Sequence, residues 1–262
     1  MADLYKEALS EDTNIWVAPY GSDSRGNGSF ESPYRTVEMA VSKITSTKLT
    51  VILMPGAYTM AASVNITVDG TRIIGLCGGV DIDGTACTTR CFKTIFGASN
   101  GTKDFTMEKV SLDHAALVGI QIDNVGATAK VNVYLKDVDL EGSGNSLDID
   151  RGGSTGQAVR VYATDCYFEG AINMVVEDHG DRLRLSRCTL DTGIVTDSGA
   201  YTLELLLESC IIPLDGITGG ASQQIVYFSG CTTQSGASVN VYAGAVATDV
   251  QTQGYVICDH EN

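Results

Sequence analysis

The chain has 262 residues, 44% of them hydrophobic, which suits one large domain with a sizeable core. Its net charge of −15 and the lack of any basic stripe exclude the electrostatic footprint of a nucleic-acid binder. No run of about 18 uncharged apolar residues marks a membrane span, and 29 glycines against 4 prolines suit many turns and little helix.

Residues 1–14, MADLYKEALSEDTN, read as a polar, acidic arm. They have neither the basic start nor the apolar core of a secretory signal. Ile15–Ala18 reads as a strand and 21–29 as a Gly/Ser/Asp/Asn loop. Ser32-Pro33 then opens a helix, with Ser32 as N-cap and Pro33 in the first position. Val37, Ala40, Val41 and Ile44 give that helix one apolar face. Residues 15–45 are thus expected to form a strand and a helix that caps the end of a larger unit, 46–262.

Within that unit, LTVILMPGAYTMAASVNI (49–66) and TRIIGLCGG (71–79) are strand-rich, and the segment 81–91 interrupts the pattern. Beyond residue 100 six stretches align: FTMEKVSL, VYLKDVDL, VYATDCYF, LRLSRCTL, LLLESCII and VYFSGCTT. Their anchors, Val110, Val138, Cys166, Cys188, Cys210 and Cys231, lie 28, 28, 22, 22 and 21 residues apart. Such a period marks a solenoid, whose units bury their apolar faces against their neighbours. Five residues before each anchor stand Phe105, Val133, Val161, Leu183, Leu205 and Val226, and three before stand Met107, Leu135, Ala163, Leu185, Leu207 and Phe228. Polar residues fill the gaps, the period-two signature of half-buried strands. Two polar residues ahead of each anchor, as in Glu108-Lys109 and Lys136-Asp137, break the alternation and mark a corner. A third strand follows in Val118–Ile122, Ser146–Ile149 and Met174–Val176. Three strands and three turns per 22 to 28 residues describe a coil of a parallel β-helix.

Cys166, Cys188, Cys210 and Cys231 occupy one inward column, where Val110 and Val138 stand in other coils. Cysteine there acts as a small buried hydrophobe, and parallel in-register strands disfavour disulfide geometry. The expectation is a reduced ladder formed in a reducing compartment. Cys87 and Cys91 are the pair suspected of a local link.

The run VAPYGSD, four residues, then GSFESPYRTVEMAV (17–41) resembles the opening of pectin-lyase-like right-handed β-helix proteins, with 49–66 and 71–79 resembling their next strands. The resemblance spans roughly residues 15–258. It implies an all-β, single-stranded right-handed parallel β-helix with three strands per coil and an N-terminal capping helix. That fold hosts lyases, hydrolases, esterases, tailspikes and non-enzymatic virion parts, so function is argued from the site.

Arg160, Arg182, Arg184 and Arg187, with Asp165, Asp178 and Asp181 close in sequence, form the best argument for a lyase. Solvated ion pairs explain the same residues. A hydrolase would draw on Asp148 and Asp150 facing Glu177, but the motifs of the polygalacturonases are missing. His114, His179 and His260 have no ligand-spaced partners and read as ordinary loop residues. Asp81-x-Asp83-Gly84 begins like a calcium loop without the closing glutamate, so no metal centre is expected and only a surface Ca²⁺ stays open.

The outward column four residues before the anchors holds Thr106, Tyr134, Tyr162, Arg184, Leu206 and Tyr227, beside Asp104, Asn132, Arg160, Arg182, Glu204 and Ile225. Tyr134, Tyr162, Arg184, Leu206 and Tyr227 are the candidates for a protein interface or a sugar-contacting stripe. No catalytic residue is assigned. The expectation is a non-enzymatic bacteriophage virion protein, a capsid decoration (cement) or fibre-like subunit assembled in the host cytoplasm. Its expected partners are two further copies in a homotrimer and other virion proteins such as the major capsid protein, with neither nucleic acid nor membrane. The alternatives are a polysaccharide lyase or glycoside hydrolase, and a carbohydrate-binding adhesin.

Overall fold

The computed structural model describes residues 13–96, 101–123, 129–149, 158–175, 180–196, 203–213, 217–219 and 224–233. The strands form three parallel stacks, each strand pairing with its equivalents in the coils before and after. The first stack runs Asn14–Val17, Thr50–Leu53, Thr71–Gly75, the first parts of Gly101–Asp113 and Ala129–Glu141, Val159–Thr164, Arg182–Ser186, Leu203–Glu208 and Gln224–Ser229. The second takes Gly56–Thr59, Val80–Asp83, the second parts of the two long strands, Tyr167–Phe168, Thr189–Leu190, Ile211–Ile212 and Thr232–Thr233. The third takes Val64–Ile66, Arg90–Ile95, Val118–Asp123, Leu147–Ile149, Ile172–Met174, Ile194–Thr196 and Ile217–Gly219. Three strands per coil, all parallel, make this a parallel β-helix. Among the described residues no helix is long and apolar enough to cross a membrane.

The expected columns are the observed registers. Phe105 pairs with Val133, Val133 with Val161, Val161 with Leu183 and Leu183 with Leu205. All five are fully buried, as are Met107, Leu185 and Leu207 two positions on. Leu112, Leu140, Phe168, Leu190 and Ile212 line the interior behind the second face. Each apolar side chain therefore packs on a like one above and below, and the core is one continuous column system.

The corner between the first two faces rests on one residue per coil. Lys109, Asp137, Asp165, Arg187, Ser209 and Gly230, each just before its anchor, all have φ between 51° and 62°. The left-handed residue lets two successive side chains face outward, so alternation resumes with the anchor inside. In the two long strands, pairing skips only Lys109 and Asp137 and resumes at once with Val110 and Val138, so each runs as one strand where two short ones were expected. One coil earlier, Leu76 to Gly79 are inserted at the same corner, with φ of 62° at Cys77, 77° at Gly78 and 67° at Gly79. There Gly75 stacks beneath Lys109, and a Cβ on it would meet the Lys109 carbonyl oxygen at 2.0 Å.

Three local expectations are corrected. The helix is a single turn, Val37–Val41, with Thr36 as its N-cap, so Ser32 and Pro33 lie outside it. Tyr34 pairs with Val17 in extended conformation, which forbids helix until after it. Asp23 then sets the start: its Oδ1 accepts from the Arg35 and Thr36 amides (2.8 and 3.1 Å) and its Oδ2 from the Thr36 hydroxyl (2.8 Å). The third strand near residue 174 is Ile172–Met174, because Ile172 and Met174 are the residues that point inward. Cys231 is only half-buried, unlike Cys166, Cys188 and Cys210.

A non-glycine residue in the left-handed region costs about 1–2 kcal/mol. Ser209 is exposed at such a corner, and Gly230 occupies the equivalent place one coil on. Ser209→Gly is therefore expected to stabilise the protein by about 1 kcal/mol, read as a higher urea midpoint at unchanged slope. An unchanged or lower midpoint would show that the corner is not strained.

Candidate functional site on the tyrosine face

The outward candidates come together as one column of the first face. Tyr134 pairs in register with Tyr162, Tyr162 with Arg184, Arg184 with Leu206, and Leu206 with Tyr227. The Tyr227 side chain lies outside what the structure describes. The rings of Tyr134 and Tyr162 stack with centroids 5.2 Å apart and planes 11° from parallel. Tyr134 stays 39% exposed, so the pair presents an aromatic face to solvent. Partial burial, the neighbouring Asp104 and the second ring push the Tyr134 hydroxyl pKa above its ordinary value.

Ion pairs flank the tyrosines coil to coil. Arg182 Nε and Nη2 donate to Glu204 Oε2 at 2.9 and 2.5 Å. Arg187 makes a two-pronged pair with Asp165 at 2.6 and 2.7 Å, which lowers the carboxyl pKa and raises that of the guanidinium. Arg184 lies 3.9 Å from Glu208. Asn132 donates to Asp104 at 2.9 Å. Three of the four arginines that suggested a lyase, Arg182, Arg184 and Arg187, thus hold carboxylates of their own face, whereas Arg160 Nε is buried without a partner. Asp181 is buried, and its Oδ1 accepts from the Val159 amide at 2.8 Å, a backbone-positioning role. Asp178 lies outside the described residues.

Beside the tyrosine pair runs an open groove of about 550 Å³, bordered by Arg72, Glu108, Lys136, Thr164 and Arg187. Arg72 and Lys136 were not among the sequence candidates. Their signal was the register itself, since Arg72 pairs with Thr106 and Thr106 with Tyr134. Arg72 reaches Glu108 at 3.3 Å.

Other candidates fall elsewhere. Asp148 sits on the third face and accepts from Gln121 (3.3 Å) and Asn173 (2.7 Å), while Arg90 donates to Gln121 at 2.5 Å, a ladder spanning four coils. Asp150, Glu177, His179 and His260 lie outside the described residues. Asp81 and Asp83 point outward from Val80–Asp83, and Asp83 Oδ1 accepts from the Thr85 amide and hydroxyl at 2.9 and 2.6 Å. Cys87 and Cys91 are free, buried thiols, and burial pushes the pKa of each up.

No family model matches the chain, and no curated protein matches it. Among solved structures, the crystal structure of Escherichia coli YbhC is similar, with 11% identity and a TM-score of 0.46 over 84% of this chain and 71% of that one. A likeness of that depth transfers no residue role.

His114 lies in a loop as expected, between Gly101–Asp113 and Val118–Asp123, but is fully buried there. Its Nδ1 donates to the Leu117 carbonyl at 2.9 Å, and Gly119 and Gly142 close over the ring. Its Nε2 is buried without a partner. Burial lowers the imidazole pKa from its ordinary 6.5. The unfolded chain then takes up a proton before the folded one, so stability is complete above about pH 6.5 and falls as the pH drops below it. Melts between about pH 8 and 5 should show this loss in the wild type, with a shallower slope in His114→Gln. Equal slopes would remove His114 as the cause.

Proposed function

We propose that this chain, a β-helix resembling the pectin-lyase-like proteins, is a non-enzymatic structural subunit of a bacteriophage virion. In this reading it is a capsid decoration or fibre-like protein that forms a homotrimer and docks on the major capsid protein. The observation that carries it is the stacked, solvent-facing pair Tyr134–Tyr162, continued by Arg184 and Leu206 on one flat sheet face. Tyrosine and arginine are the residues that anchor protein interfaces, and a sheet face holds them with little conformational freedom left to lose. Further support comes from the carboxylates of this face: Asp165, Glu204 and Glu108 are each held by an arginine, a structural use of charge. Many stacked coils also make a stiff block of the kind a particle surface requires.

A second reading, a carbohydrate-binding adhesin, is favoured by the groove beside the tyrosines, where Lys136 and Arg187 could meet acidic sugars. A polysaccharide lyase would need the same arginines for chemistry, and two of them are already paired to Glu204 and Asp165, while Asp148, which a hydrolase would draw on, accepts from Gln121 and Asn173.

Light scattering on the native protein and on Tyr134→Ser/Leu206→Asp decides between them. The virion reading expects three times the chain mass for the wild type and a folded monomer for the variant. A monomeric wild type would overturn it. Glycan binding by that monomer, lost in Tyr134→Ser, would establish the adhesin in its place.

A further inference from the structure

We propose that the column Cys166, Cys188, Cys210 and Cys231 is a binding site for soft metal ions of the Cu(I), Ag(I) and Hg(II) class. Each ion lies in a line between the sulfurs of two neighbouring coils. The inference is independent of what the tyrosine face binds.

Geometry is the first argument. Each cysteine directly follows the left-handed corner residue of its coil. Backbone bonds then tie the corners together: the Thr189 amide donates to the Cys166 carbonyl, Ile211 to Cys188 and Thr232 to Cys210, all at 2.9 Å. Equivalent atoms in such a ladder repeat every ~4.8 Å. Two metal–thiolate bonds of ~2.3 Å laid end to end span ~4.6 Å. An ion midway between neighbouring sulfurs therefore fits without moving the backbone. A disulfide needs its sulfurs ~2 Å apart, which the ladder resists.

The surroundings then select the ion. Among the described residues no group of three or more His, Cys, Asp or Glu converges on one point. Tetrahedral zinc is not served, whereas thiolate-seeking ions content with two ligands are. The sulfhydryls donate to backbone carbonyls beside the column, Cys166 to Thr164 at 3.2 Å, Cys188 to Ser186 at 3.4 Å, and Cys210 to Leu185 and Glu208 at 3.4 Å. Binding replaces these protons. Hg(II) displaces two and leaves a neutral bis-thiolate. Cu(I) or Ag(I) displaces one and leaves a neutral thiolate–metal–thiol unit. Neither strands a net charge in an apolar column. With each sulfur used once, the column takes two ions, at Cys166/Cys188 and Cys210/Cys231. Half-buried Cys231 gives the column its accessible end.

The test is titration of the reduced protein with Hg(II), followed by sulfur-to-mercury charge-transfer absorbance and X-ray absorption. Valine fills the same column at Val110 and Val138, so Cys→Val variants keep the packing. Cys188→Val should bind one ion fewer per chain than the wild type, and Cys188→Val/Cys210→Val two fewer. Cys77, Cys87, Cys91 and Cys258 give a background common to all three. The lost ions should show two sulfur ligands in a line. Equal uptake by wild type and the double variant, with native circular dichroism in both, would overturn the proposal. So would a third ligand on the ions that the variants lose.

Discussion

Parallel strands stacked in register force every residue to sit above its counterpart in the previous coil. Backbone bonds of the kind Thr189 makes to Cys166 hold that alignment, and side chains follow. An inward position then meets a similar residue above and below, which is why one column can run in leucine and valine after Phe105 and another in four cysteines after Val110 and Val138. An outward position meets a partner one strand spacing away, close enough for ring stacking between Tyr134 and Tyr162 or for the ion pair of Arg182 with Glu204. Core, corner and candidate site are thus three consequences of a single vertical alignment.

That alignment also distributes the charge. The second face carries Asp83, Asp113 and Glu141 in register, and Glu169 and Asp191 follow the paired residues Phe168 and Leu190 of the next two coils. Like charges so stacked repel, and the structure offsets this with local donors. Asp113 accepts from the Ala115 amide, Glu169 from the Gly142 amide, and Asp191 from the Tyr167 hydroxyl. The net charge of −15 is therefore not evenly spread. The tyrosine face instead balances its carboxylates with arginines, which leaves its aromatic stripe in a nearly neutral setting.

Much of this was legible because the repeat between residues 105 and 233 is nearly constant. Inward columns, corner positions and the outward tyrosine stripe could all be counted off. Legibility failed where a contact distant in sequence decides a local structure. The helix start depends on Tyr34 pairing with Val17, and Asp23 reaching Thr36, neither of which is a neighbour effect. The burial of His114 depends on glycines of its own and the next coil, Gly119 and Gly142. Arg72 was missed because the Leu76–Gly79 insertion hides the register that places it two coils before Tyr134, and Lys136 because its place in the repeat marks it only as a corner residue. Residue types announced the site, but the pairing of Arg187 with Asp165 needed side-chain geometry that spacing alone does not carry.

The one-residue corner bears on how such a molecule changes length. Asp165 and Arg187 occupy the same corner, and Cys166 and Cys188 the same anchor, in coils that differ by 22 residues. Excising residues 166–187 would join Asp165 directly to Cys188, a junction that already exists in kind at every coil. Each remaining strand would find an equivalent partner, and the rod would shorten by one ladder step, ~4.8 Å. Duplicating the same stretch would lengthen it by the same step. Rod length is therefore a quantised, heritable dimension, open to in-frame recombination without the invention of any new contact.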